Sequence, residues 1–145
     1  MYFVDRSKIE ETIKFMDGVL KEMEHQTMTT FAEKMAFERM VHVVIESILD
    51  TGNMMIDGFI MRDPGSYDDI IDILIDEEVL PKEEETAYKS FIRLRKMIVT
   101  EYTEIDHQKL QSAVKQTLPI LKSFSSHIRT YLTNELGVAN AFTNK

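Results

Sequence analysis

The stretch from Phe31 to Met61 is rich in apolar residues and contains no proline, and it constrains the fold more than any other segment. As one α-helix it would run roughly 46 Å at a rise of 1.5 Å per residue. A helix that is apolar over most of its circumference is stable in water only when other elements cover it. The rest of the chain must therefore wrap it. Gly52 lies inside the stretch and predicts a bend, because glycine costs a helix interior about 1 kcal/mol relative to alanine.

The flanking segments have the pattern of such partners. Between Asp5 and Glu24 the residues Ile9, Ile13, Phe15, Met16, Val19, Leu20 and Met23 recur at helical spacing, with Asp5 placed to cap the start. A short polar segment, Gln26 to Thr30, leads into the long stretch. Arg62-Asp63-Pro64-Gly65-Ser66 then breaks the helix, and Ser66 with Asp69 forms the pattern of a capping box before Ile70, Ile71, Ile73, Leu74 and Ile75. Pro81 separates this short helix from one predicted over Lys82 to Tyr102, with Ala87, Tyr88, Phe91, Leu94, Met97 and Ile98 along one stripe. Asp106 caps a final predicted helix reaching about Leu136, with a kink or a loosened neighbouring turn at Pro119, a stop at Gly137 and a polar tail beyond.

Five Gly and three Pro in 145 residues are too few for the turns of an all-β domain, and 43% hydrophobic content is enough for a core. With no repeat and no linker, the expectation is all-α: an antiparallel helical bundle of about five helices forming a single domain over 1–145. The ten methionines are read as adaptable core filler. The helices carry more apolar surface than five helices of this length need to hide from water, which predicts a symmetric homodimer.

Several function classes are set aside at this level. With 17 Lys and Arg against 25 Asp and Glu, the net charge of -8 argues against binding nucleic acid by blanket phosphate neutralisation, although a local basic patch is still allowed. The absence of cysteine excludes disulfides, thiolate zinc sites and a cysteine nucleophile. There is no Gly-rich phosphate loop and no Gly-x-Ser-x-Gly elbow, and no cofactor is expected. The first six residues contain no apolar signal segment and no run approaches a membrane span, so the expectation is a cytoplasmic chain with no membrane partner.

Two features carry chemistry. Along the long helix Glu38, His42, Glu46, Asp50, Asn53 and Asp57 follow one another at spacings of three and four, a single polar face on an otherwise apolar helix. That face meets solvent, a cleft or polar partners, because unpaired buried carboxylates are expensive. Glu38, His42 and Glu46 also have one-turn spacing compatible with metal ligation, but no Glu-x-x-His elsewhere completes such a site, and none is expected. His25, His107 and His127 sit in polar surroundings and are read as surface residues. The second feature is Arg93-Leu94-Arg95-Lys96, a basic cluster in an acidic chain. Part of it is explained if cations near a helix C-terminus complement the macrodipole. Arg95 and Tyr102 are two turns apart and share a face, whereas Thr100 lies roughly 140° around from Arg95, so those two converge only where the helix ends or a second subunit supplies one of them.

Val4-Asp5-Arg6-Ser7-Lys8-Ile9-Glu10, Ile45-Glu46-Ser47-Ile48-Leu49-Asp50, the Pro64-Gly65-Ser66-Tyr67 turn, Leu80-Pro81 and Tyr102-Thr103-Glu104-Ile105-Asp106 occur in an order that resembles the HepT-like branch of the HEPN superfamily. The resemblance spans most of the chain. It implies a dimeric helical bundle acting as a metal-independent ribonuclease, commonly the toxin of a toxin–antitoxin pair whose nucleotidyltransferase antitoxin attaches AMP to the motif tyrosine. Family members carry Arg, four residues, His, one residue, Tyr; here the register gives Arg95, four residues, Thr100, Glu101, Tyr102. By position the resemblance assigns phosphate stabilisation to Arg95 and the role of AMP acceptor to Tyr102, and it puts Thr100 where the catalytic histidine stands. Glu46, Asp50 and Asn53 are expected to bind in the same cleft.

A threonine hydroxyl does not titrate near neutral pH and cannot replace imidazole as a general base. Two functions are therefore carried forward: an RNA endonuclease weakened at Thr100, and a catalytically silent module of the same fold that binds a nucleotide, RNA or a nucleotidyltransferase partner. A helical interaction protein with a solvent-facing polar stripe is the plainer alternative.

Overall fold

The computed structural model describes residues 4–135 and Phe142. The Asp5 side chain accepts from the Ser7 backbone N–H and starts helix α1, Arg6–Met23, whose Ile9, Ile13, Met16, Leu20 and Met23 are buried. Thr30 opens α2, Phe31–Gly58, through a full capping box: its hydroxyl accepts from the Glu33 N–H while the Glu33 carboxylate accepts from the Thr30 N–H. Ser66 caps α3, Tyr67–Asp76, by accepting from the Asp69 N–H. After Pro81 a single 3₁₀ turn, Lys82–Glu84, leads into α4, Glu85–Thr100. Asp106 caps α5, His107–Leu121, and α6 follows as Phe124–Glu135.

The short connections make successive packed helices antiparallel: α1 lies on α2, and α4 on α5. Helix α3 bridges α2 and α4, while α6 returns to α1, where Arg129 makes a two-toothed ion pair with Glu10. The core holds Val41, Val44, Ile45, Ile48, Met55 and Ile56 of α2, all essentially inaccessible to water. Around them sit Tyr88, Phe91 and Phe124, with the Tyr88 and Phe124 rings edge to face at 5.8 Å. The methionine expectation holds: Met16, Met23 and Met55 are buried, while Met28, Met40, Met54, Met61 and Met97 pack against the core.

Three expectations about the elements are corrected. The long helix ends at Gly58 rather than Met61, because Ile60 turns into the left-handed region at φ 55°. There the Met61 N–H reaches the Ile56 carbonyl at 2.8 Å and the Ile60 N–H reaches that of Asp57, which closes the helix in a Schellman motif without glycine. Gly52 marks a close approach of helices instead of a bend: a Cβ built there would lie 2.5 Å from Cγ2 of Ile70 on α3. Finally, the single last helix is two: the turn loosened after Pro119 becomes a full break at Lys122-Ser123, which divides it into α5 and α6. Pro119 lacks the N–H needed by the carbonyl one turn earlier, and Ser123 then caps the Ile120 carbonyl with both its N–H and its hydroxyl. The predicted end at Leu136, the Gly137 stop and the polar tail lie outside the described residues.

Among the described residues no helix is long and apolar enough to cross a membrane.

Candidate functional site

The basic segment of α4 faces the polar stripe of α2. Arg95 Nε donates to Glu46 Oε1 at 2.7 Å, and this bond, together with the Glu46 charge, raises the guanidinium's already high pKa further. On its other side Arg95 meets the ring of Tyr67, with Cζ 4.9 Å from the centroid, a cation–π contact of the kind worth about 0.5–1 kcal/mol at exposed sites. A carboxylate and an aromatic face thus hold the guanidinium with part of its donor edge uncommitted. That posture suits an incoming anion.

Arg95 lines an open cleft of about 630 Å³ together with Ser66, Tyr67, Asp68, Ile92, Arg93, Lys96 and Thr100. Arg95 and Thr100 do reach the same cleft, because α4 ends at Thr100 itself. Thr100 Oγ1 donates back to the Lys96 carbonyl at 2.6 Å, so its proton is already engaged. The predicted extension of this helix to Tyr102 is corrected: Tyr102 follows the helix end and is exposed. It lines none of the clefts around Arg95.

The macrodipole account of the basic cluster is also corrected. The last turn of α4 contains no basic residue, and the dipole effect fades within that turn. Specific carboxylates hold the cations instead: Arg93 binds Asp68 at 2.6 Å, Arg95 binds Glu46, and Lys89, one turn before Arg93, binds Asp72 at 2.6 Å.

Along α2 the first half of the polar stripe, Glu38, His42 and Glu46, is paired. Glu38 meets His107 Nε2 at 2.6 Å, and His42 Nε2 lies 3.7 Å from Glu46 Oε1. Asp50, one turn beyond Glu46, has its carboxyl pKa raised, first by partial burial and then by the Glu46 charge. Asn53 lines a second cleft of about 430 Å³ with Pro64, Gly65, Ser66, Tyr67 and Ile70. Two of the histidines read as surface residues are tied in: besides His107, His127 Nε2 lies 3.0 Å from a Glu84 oxygen that also accepts from the Tyr88 hydroxyl. His25 is exposed as expected. Among the described residues no group of three His, Cys, Asp or Glu side chains is arranged to hold a metal ion.

Tyr67 is the residue that sequence reasoning left as part of a turn. It stands at the first position of α3, half exposed, and forms a wall of both clefts. The signal was an aromatic side chain directly after the helix cap Ser66, where a buried role is rare. The turn presenting it is rigid. Asp69 takes both guanidinium nitrogens of Arg62 at 2.8 Å and the Gly65 N–H at 2.8 Å, and these bonds hold its carboxyl at a pKa of about 2.

Against known proteins, the model of the family described as Ribonuclease HepT-like matches residues 9–128, which include α2, the turn, all of α4 and the Arg95 cleft. The chain belongs to the HepT-like ribonuclease family. A curated relative from Bacillus subtilis (strain 168), named "Putative RNase YutE", is 48% identical over 143 residues, covering 98% of this chain and 99% of that protein. The solved structure titled "Structure of Cytosolic Protein of Unknown Function YutE from Bacillus subtilis" superposes with a TM-score of 0.90 at 48% identity, covering 98% of this chain and all of that one.

Proposed function

We propose that this HepT-like protein binds RNA at the Arg95 cleft and cleaves it slowly, without a metal. The observation that carries the reading is Arg95 itself, fixed between Glu46 and Tyr67 with an open cleft before it. In such cleavage the ribose 2′-oxygen bonds to the neighbouring phosphorus while the bond to the 5′-oxygen breaks, and charge grows on the phosphoryl oxygens. A fixed guanidinium stabilises that charge more in the transition state than in the ground state. Thr100 supplies no proton transfer, and loss of a general acid or base costs about 10²- to 10⁴-fold. The imidazole linked most directly to Arg95 is that of His42, through Glu46, and it is the group to which residual proton transfer is assigned.

A second reading is favoured by the Thr100 hydroxyl bond to Lys96: a silent module of the same fold that binds RNA or a nucleotide and docks a nucleotidyltransferase antitoxin, with exposed Tyr102 as the AMP acceptor. Both readings place the protein in the cytoplasm as a homodimer. Support for the dimer comes from large apolar side chains left exposed, Phe31 and Met35 at the start of α2, Val99 at the end of α4 and Tyr102 just beyond it.

The deciding experiment is RNA cleavage in the presence of chelator by wild type, Thr100→His and Arg95→Ala, with light scattering on each. Cleavage by wild type that is lost in Arg95→Ala supports the slow nuclease. Silence of wild type with cleavage by Thr100→His supports the binding module. Silence of all three, or a monomer at micromolar concentration, overturns the shared cleft.

A further inference from the structure

The two clefts that share Tyr67 bear on what kind of RNA the site accepts. One holds cations: Arg95, Arg93 and Lys96. The other contains no cation and is built from Asn53, Pro64, Gly65, Ser66, Tyr67 and Ile70. An aromatic ring shared by a cationic cleft and a small cleft of mostly uncharged atoms is how a nucleotide is divided, with phosphate on one side and base on the other. The guanidinium engages one face of the Tyr67 ring, and the ring still stays half exposed and lines the second cleft, so part of it is open to a ligand there.

From this arrangement we infer that Tyr67 is a stacking platform for a nucleobase, with the Asn53 amide at the base edge, and that the site therefore takes single-stranded RNA and discriminates against duplex. This rests on the RNA-binding reading above and adds a base subsite to it. A base in a duplex is stacked on its neighbours and offers no free face, whereas an unpaired base can be splayed onto an aromatic ring. Three features suit Tyr67 to the role. The bidentate Arg62–Asp69 pair and the Gly65 N–H bond make the turn beneath it rigid, so little order is lost on binding. Half of its surface is open although it lies at the start of a packed helix. Its cation–π partner is the same Arg95 that would hold the adjoining phosphate, so base and backbone would be read from one fixed unit. Asn53 carries both amide donors and a carbonyl acceptor, which lets it bond a base edge in either polarity.

The test uses full-length protein and a short fluorescein-labelled oligoribonucleotide with 2′-O-methyl riboses, which cannot be cut through its own 2′-oxygen. It is presented as a single strand, as a duplex with its complement, and as a single strand bearing abasic sites. Wild type should bind the single strand at least about ten-fold more tightly than the duplex, and Tyr67→Ala should lose about ten-fold on the single strand, in line with base–aromatic stacking. Tyr67→Phe and Tyr67→Trp should keep the affinity, and Tyr67→Ala should lose several-fold less on the abasic strand than on the intact single strand, the smaller loss being that of the Arg95 contact. Equal single-strand binding by wild type and Tyr67→Ala overturns the platform. So does an equal loss on the abasic strand, which would show Tyr67 acting only by positioning Arg95. Failure of wild type to bind any of the three, with Thr100→His also inert toward ordinary RNA, overturns the RNA reading itself.

Discussion

Arg95 and Glu46 are 49 residues apart in sequence, and their side chains meet at 2.7 Å across the α2–α4 interface. Each is partly open to water, with about a third of each side chain exposed. An ion pair so placed contributes modestly to stability, but it decides where the guanidinium points. Glu46→Ala should lower the melting temperature by only about 2–4 °C, the effect of roughly 1 kcal/mol in a domain of this size. Its larger effect should be on RNA binding and cleavage, through an unanchored Arg95. A thermal melt beside a binding titration checks this, and equal fractional loss in both would make the pair purely structural.

Gly52 sets how closely α2 and α3 approach. Gly52→Ala improves helix propensity by about 1 kcal/mol, yet its Cβ would lie 2.5 Å from Ile70 Cγ2 in a filled core, and overpacking of that kind costs about 1–3 kcal/mol. Net destabilisation of about 1 kcal/mol is expected. In an Ile70→Ala background the clash is gone, and Gly52→Ala should become neutral or stabilising. A double-mutant cycle by urea denaturation reads the coupling directly.

Ile60 terminates α2 in a left-handed conformation that disfavours β-branched side chains, and its side chain is largely exposed. Ile60→Gly removes that strain while losing little packing. It should stabilise the fold by about 1 kcal/mol, seen as a melting temperature higher by about 2–4 °C. A lower melting temperature would mean that Ile60 packs in solution more than its exposure indicates.

The Asp69 carboxyl titrates near 2 in the fold, chiefly through the Arg62 hydrogen bonds and then the Gly65 N–H, against an ordinary value of 3.8. With the folded pKa depressed, the stabilisation is fully present above about pH 4 and is lost as pH falls through about 2. Asp69→Asn should therefore melt below wild type at pH 6, with the gap closing between pH 4 and pH 2. A gap of constant size across that range would remove the charge from the explanation.

The bundle was legible from apolar spacing and caps, because Asp5, Ser66 and Asp106 sit where side-chain oxygens satisfy the first N–H groups of a helix, whereas the Thr30 capping box reads in sequence only as part of a short polar segment. Helix ends were less legible. Ile60 closes α2 without the glycine that normally signals such a stop, and Ser123 ends the break that Pro119 only announces. Local chemistry and period-3.6 patterning determined that the chain is helical and which residues face inward, while the resemblance to a family set the register of Arg95 and Thr100. The tertiary structure alone decided that Glu46 rather than solvent meets Arg95, that Asp68 and Asp72 answer Arg93 and Lys89, and that Tyr67 lines two clefts. Those pairings join residues 17 to 49 positions apart, and one-dimensional periodicity places a side chain on a face but does not name what the facing helix brings to it.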